Sequence, residues 1–203
     1  MDREGWNARY AEGEFVWQVD PNQFVVAETA GLHPGRALDL AAGEGRNAVW
    51  LAEQGWRVTA VDFSDLGVAK GRRLAETRGV EVAWVVADLM EYQPLPGAYD
   101  LVLLCYLQVP EAQRRHIVAR AREAVARGGI FLWIAHDLSN LKHGVGGPKR
   151  PAVLSGPEDI VSDLPDFEVR KAQVVERRVR QETEQGGVEE RIALDTLVQA
   201  MRP

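Results

Sequence analysis

Two rhythms of apolar residues alternate along this chain. Short apolar runs occupy 36–41, 57–61, 82–86, 100–104 and 130–135. Between them, apolar residues recur every three or four positions over 45–54, 64–78 and 111–126. The first pattern predicts buried strands and the second amphipathic helices. The punctuation agrees. Ser64 stands where a helix should begin, Gly55 and Gly79 where helices should stop, and Gly128-Gly129 precede the last run. Asp20-Pro21 predicts an earlier helix, with Asp20 as its cap and Gly31 as its stop. Residues 92–98, rich in Pro and Gly, read as a loop. Strands alternating with helices imply an α/β fold with a parallel sheet and right-handed crossovers.

The end of the chain changes rhythm. Residues 136–155 carry turn chemistry, including Gly144, Gly146, Gly147 and Pro148. A loop this long in a compact domain often has a functional role. Ser155-Gly-Pro-Glu158 reads as a capping box for a short helix reaching Leu164. Residues 167–180 and 191–201 then predict two strands joined around Gly186-Gly187, an antiparallel hairpin with no helix between.

Composition narrows the class. With 203 residues, the chain is long enough for one domain with a sizeable core. Net charge is −6 and the pI about 5.3, which argues against a nucleic-acid backbone as partner. Arg114, Arg115, Arg120, Arg122 and Arg127 cluster, but among Glu111 and Glu123, so they read as a solvated helix face. A single cysteine, Cys105, allows no internal disulfide and fits a reducing compartment. No apolar run approaches the roughly 20 residues that cross a bilayer, and the first residues have no secretory core. The expectation is a cytoplasmic protein, monomer or homodimer, with no membrane or nucleic-acid partner.

The chemistry concentrates at 37–48, Ala-Leu-Asp-Leu-Ala-Ala-Gly-Glu-Gly-Arg-Asn-Ala. This is a strand, a glycine turn and a helix start, the core of a nucleotide-binding βα unit. Gly43, Gly45 and Ala48 fit G-x-G-x-x-A, and Asp62 ends the next strand. In a dinucleotide site that turn cradles a pyrophosphate, which a carboxylate just upstream would repel. Asp39 precedes the turn and Glu44 lies inside it. Such a turn suits a ligand with positive charge or hydrogen-bond donors.

Residues 37–48, 58–62, 85–90, 99–104 and 127–131, in this order and spacing, resemble the successive motifs of class I S-adenosylmethionine-dependent methyltransferases. The resemblance spans about 36–135. It implies a doubly wound, Rossmann-like sheet of seven mostly parallel strands, closed by the C-terminal antiparallel hairpin. It implies one domain over 1–203: a helical lid at 1–32, a cofactor-binding core at 33–135, and a substrate loop and hairpin at 136–203. S-adenosylmethionine would be the cofactor, and a small molecule the methyl acceptor. Trp6, Tyr10, Phe15 and Trp17 look like the N-terminal lid of the tellurite-resistance and thiopurine-methyltransferase-like group. The same aromatics also suit a helix that simply packs on the sheet.

The resemblance assigns roles residue by residue. Asp39, with Ala41, Gly43 and Gly45, would hold the amino-acid end of the cofactor. Arg46 would either reach its carboxylate or form a surface ion pair. Asp62 would accept from the ribose hydroxyls and Phe63 pack on the adenine. Asp88 and Leu89 would meet the adenine edge, and Trp17 would close over the site. Leu104, Cys105 and Tyr106 would face the methyl group. His136 ends a strand at the substrate mouth, where a histidine can take a proton from a thiol or hydroxyl; a loop histidine held by hydrogen bonds is the alternative. Tyr106 and His136 are thus the candidate catalytic residues. No metal site is expected, since no His, Cys, Asp and Glu cluster has ligand spacing. Rival classes are a nicotinamide-dependent oxidoreductase, which explains the glycines but not Asp39, and a non-catalytic S-adenosylmethionine-binding protein.

Overall fold

The computed structural model describes residues 1–16, 19–182 and 187–203. Five strands build the parallel part of one sheet: β1 (Arg36–Leu40), β2 (Arg57–Asp62), β3 (Ala83–Val86), β4 (Tyr99–Cys105) and β5 (Val125–His136). Two more, β6 (Glu168–Glu182) and β7 (Val188–Met201), pair antiparallel, and β7 joins β5 antiparallel. The order is β3-β2-β1-β4-β5-β7-β6. The chain therefore runs outward from β1 to β3, then returns to the other side of β1. That reversal between β1 and β4 is where ligands of open α/β sheets sit, beyond the carboxyl ends of the strands.

The helices fill both faces. On one face lie α2 (Gln23–Thr29), α3 (Arg46–Glu53) and α4 (Asp65–Arg78), covering Ala37, Val58, Ala60, Leu101 and Leu103. On the other lie α5 (Glu111–Ala124) and α7 (Pro157–Ser162), covering Leu38, Leu40, Val61, Val102 and Leu104. Before these, α1 (Arg3–Ala11) packs on α4; a short α6 (Asn140–His143) follows β5. The central strands β1 and β4 and the second half of β5 are apolar at nearly every position because both faces are buried, whereas β6 at the sheet edge is largely polar and exposed. Among the described residues, no helix is long and apolar enough to cross a membrane.

Several expectations shift locally. The cap of α2 is Asn22, whose side chain accepts from the amides of Phe24 and Val25; Asp20 plays no part in it. The N-terminus of α7 is closed by Asp159, which accepts from the amide of Gly156, in place of the expected Ser155/Glu158 pair. α5 stops at Ala124 and β5 begins directly at Val125, because Val125 already pairs with Tyr99. The arginine cluster is not simply a solvated face. Arg114 is buried and bonds Asp163 at 3.1 Å, and Arg120 donates to the carbonyls of Met90 and Tyr92. Arg115 remains exposed. His116 is half-buried with Nε2 3.2 Å from the same Met90 carbonyl. These contacts pin the loop after β3 to α5. The hairpin turn around Gly186 lies outside the described residues.

Candidate active site

Asp39 is the penultimate residue of β1 and pairs in register with Ala60 of β2. Asp62 lies two residues beyond Ala60, and strand side chains alternate, so both carboxylates point to the same face. Asp39 is 1% exposed, and neither of its carboxylate oxygens has a hydrogen-bond partner among the described residues. Burial, with the Asp62 charge adding to it, pushes its pKa from 3.8 to about 8. An orphaned buried carboxylate is costly unless a partner is brought to it. It marks a place for donors or positive charge arriving with a ligand.

Asp62 is bound on its protein side. Its Oδ2 accepts from the amide of Gly43 and its Oδ1 from that of Ser64, both at 2.8 Å. Burial raises its pKa, and those amides hold the rise back. Each oxygen keeps a second lone pair, so the group can still take two donors from a ligand. Ser64 caps α4 by accepting from Gly67, as its sequence position suggested. Phe63 is half-buried beside it.

The glycine turn is also required by the protein's own packing. Gly43 and Gly45 take φ of +56° and +78°, which side chains disfavour. Their open sides are filled by the protein's own aromatics. A Cβ at Gly43 would lie 2.7 Å from the Tyr10 hydroxyl, and one at Gly45 would collide with the Trp84 ring. Glu44, between them, does not face a ligand. It accepts from the Val16 amide and from Lys70 Nζ at 2.9 Å, while Lys70 also donates to the Gly13 carbonyl. This buried pair straps residues 13–16 across the turn. Asn7 adds bonds to Asp65 and Ser64. Trp17 lies outside the described residues.

Other candidates spread around this centre. Arg46, in the first turn of α3, has no carboxylate within ion-pair distance among the described residues, and its charge acts on Asp39 and Cys105. Ala41 continues from β1 with φ +62°. Asp88 is exposed; its Oδ1 caps the local turn by accepting from Met90, leaving Oδ2 outward. Leu89 is buried next to it. Leu104 does not meet Asp39: it is wholly buried in the opposite layer, against the α5 side. Cys105 shares the Asp39 face, and burial pushes its thiol up to about 12. A thiol so held is a neutral packing group.

A second cluster lies at the ends of β4, β5 and β7. Tyr106 takes φ +61°, uncommon for a bulky residue and typical of strain at functional sites. Its hydroxyl donates to Asp195 Oδ2 at 2.8 Å and accepts from Asn22 Nδ2 at 3.1 Å. Asn22 is itself tied to the head of α3, because its amide donates to Asn47 Oδ1. Arg177 Nε donates to the same Asp195 oxygen at 2.7 Å. The His136 ring lies tilted against Tyr106, with centroids 4.7 Å apart and planes at 35°. Its Nδ1 is 3.1 Å from Asp195 Oδ1, at an angle that leaves both atoms without a formed hydrogen bond. Asp195 is 0% exposed, and although burial acts to raise its pKa, the His136, Arg177 and Tyr106 contacts outweigh it and hold it down. Burial and that anion drive the Tyr106 phenol up.

Sequence reasoning found Tyr106 and His136 but missed Asp195, Arg177 and Asn22. One signal was present: Asp195 is the one acid in the otherwise mostly apolar stretch 192–201, much as Asp39 is in β1.

The architecture is that of the class I methyltransferase fold: a mostly parallel seven-stranded sheet ending in an antiparallel pair. Residues 37–129 match the family model described as "Methyltransferase domain". The demethylmenaquinone methyltransferase of Thermus thermophilus is 40% identical over 75 residues, 36% of this chain and 34% of that protein. The chain spans about a third of the length of this relative, and likewise of the ribosomal RNA small subunit methyltransferase C of Alcanivorax borkumensis, to which it is 30% identical over 106 residues, 50% of this chain. A structure from work on conversion of a disulfide bond into a thioacetal group during echinomycin biosynthesis superposes with TM-score 0.73 at 20% identity, covering 98% of this chain and 92% of that one. TehB from Haemophilus influenzae gives 0.72 at 18% identity, covering 90% of this chain and 62% of that one. At these identities the structural likeness concerns the fold.

Proposed function

We propose that this protein transfers a methyl group from S-adenosylmethionine to a small-molecule nucleophile. One observation carries the reading: Asp39, buried and unpartnered, faces the same side as Asp62 at the switch point of the sheet. The residues fit that donor. Asp39 would receive its ammonium and Arg46 its carboxylate, beside Ala41 and the Gly43–Gly45 turn. Asp62 would accept from the ribose hydroxyls. Phe63, Asp88 and Leu89 would meet the adenine. A pyrophosphate in the same place would face Asp39, which disfavours a nicotinamide cofactor.

S-adenosylmethionine supplies an electrophilic methyl on a sulfonium whose departure leaves neutral sulfur. The protein then has no developing anion to stabilise. Its contribution is to hold the acceptor in line and exclude water, and such positioning is worth ~7–11 kcal/mol. Residues 1–32 act as the lid, strapped by the Glu44–Lys70 pair. Residues 136–203 form the acceptor side. The acceptor is a thiol or other chalcogen, or an aromatic hydroxyl. The tellurite-resistance-like subgroup is the closer kin in this reading, supported by the fold-level likeness to TehB. In this reading the protein is a cytoplasmic enzyme, monomer or homodimer, and its net charge of −6 supports action on small molecules and not on nucleic acid.

The test is turnover with a labelled methyl donor against thiols, selenols, phenols and amines. Labelled product with at least one small nucleophile supports the proposal. Binding of NAD in place of S-adenosylhomocysteine would point to the oxidoreductase class, and tight donor binding with no turnover to a non-catalytic role.

A further inference from the structure

The second cluster bears on which acceptor the site is built for, an inference that rests on the methyl-transfer reading. We infer that His136 is the proton acceptor for an oxygen nucleophile, a phenol or enol, and that Asp195 is the residue that positions it. Three observations converge. Asp195 Oδ1 and His136 Nδ1 are both buried, both without another hydrogen-bond partner among the described residues, and 3.1 Å apart. They can satisfy each other through a small turn of the ring; such bonds are often poorly aligned before substrate binds. The ring is held from both sides, by Tyr106 at 4.7 Å between centroids and by the backbone at Gly147, where a Cβ would meet it at 2.9 Å. With Nδ1 committed to Asp195, Nε2 is the nitrogen left facing outward, with a free lone pair.

Tyr106 takes a different role from the one its sequence position suggested. Its single proton is donated to Asp195, so it is a positioning residue. Arg177, over the Tyr106 ring at 5.6 Å, neutralises Asp195 and keeps it ionised. An ionised, fully buried carboxylate behind an imidazole is an expensive arrangement. A thiol, already partly thiolate near neutral pH, has no need of it; a phenol, with pKa about 10, does. In the step, the acceptor O–H proton passes to Nε2 of His136. The oxygen's electron pair forms the new O–C bond. The C–S electron pair stays on sulfur, which becomes a neutral thioether.

The test compares the wild type with Asp195→Asn and with the double variant Asp195→Asn/Arg177→Met, which removes both charges together. S-adenosylhomocysteine calorimetry on each variant reports whether the donor site is intact. If the wild type binds none, the methyl-transfer reading fails, independently of this inference. Given binding, ¹⁵N NMR of His136 should show the Nδ1–H tautomer in the wild type and a mixture once Asp195 is replaced. Turnover of a phenol should fall about 100-fold in kcat in either variant, while that of a thiol falls less than about threefold. An Nε2–H tautomer in the wild type, or equal losses on both acceptors, would overturn the assignment.

Discussion

Asp39→Asn should make the unliganded protein increasingly stable relative to wild type as pH rises, while destroying its ligand site. The carboxylate is buried with no hydrogen-bond partner within bonding geometry among the described residues, and burial, outweighing the nearby Arg46 charge and Ala48 amide, sets its pKa at about 8 against 3.8 for a free side chain. The unfolded chain therefore gives up this proton above pH 4, whereas the native state keeps it until about pH 8. The raised native pKa is a stability contribution present at low pH and lost as pH climbs through that window. The loss is at most about 1.4 kcal/mol per pH unit, or about 4 kcal/mol between pH 5 and 8, before water entry and relaxation reduce it. Asparagine is neutral throughout and carries no such slope. Urea unfolding of both proteins at pH 5, 6, 7 and 8 should show the variant gaining steadily, by about 1 kcal/mol or more across the range. Because Asp62 is coupled to Asp39, some of its own slope should relax too. A stability difference that stays flat with pH, or that moves the other way, would refute the reasoning.

Three further outcomes follow from single contacts. Asp62→Ala leaves the buried amides of Gly43 and Ser64 without their acceptor, so urea unfolding should show a loss of about 2–4 kcal/mol; a neutral change would mean those bonds are dispensable. Lys70→Met removes the cation buried against Glu44 and the tie to the Gly13 carbonyl, so a Glu-specific protease should cut after Glu12 or Glu14 at least about fivefold faster; an unchanged rate would free the strap of this role. The Cys105 thiol, pushed up to about 12 by burial, should not react with a disulfide reagent at pH 7.4 until the protein unfolds; rapid labelling of native protein would contradict that.

The sheet was readable because its signals are local. Continuous apolar runs, glycine stops and Ser64 each act within a few residues, and the parallel strands needed no long-range information to be recognised. Asp39 was readable for the same reason, as one acid in an apolar strand beside a glycine turn. What escaped were pairings decided by tertiary contact. Nothing near Glu44 in sequence reveals that Lys70 and Val16 claim its carboxylate, so it looked like part of a ligand site. That Trp84 also needs Gly45 to lack a side chain could not be read from the turn alone. Asp195 lies 89 residues from Tyr106, and only the β5–β7 register brings it opposite His136. The caps at Asn22 and Asp159 prevailed over Asp20 and Ser155 because their side chains reach the first free amides, which spacing rules leave ambiguous by a residue or two.

The claim on which the function depends is that Asp39 and Asp62 serve one adenosyl ligand. Isothermal calorimetry of S-adenosylhomocysteine at pH 7, in two buffers of different ionisation enthalpy, tests it most directly. The expected result is saturable one-to-one binding with release of nearly one proton, because Asp39 must ionise to meet the ligand's ammonium, and affinity at least about 100-fold weaker in Asp39→Asn. No heat on titration, or the same affinity in wild type and variant, would contradict it.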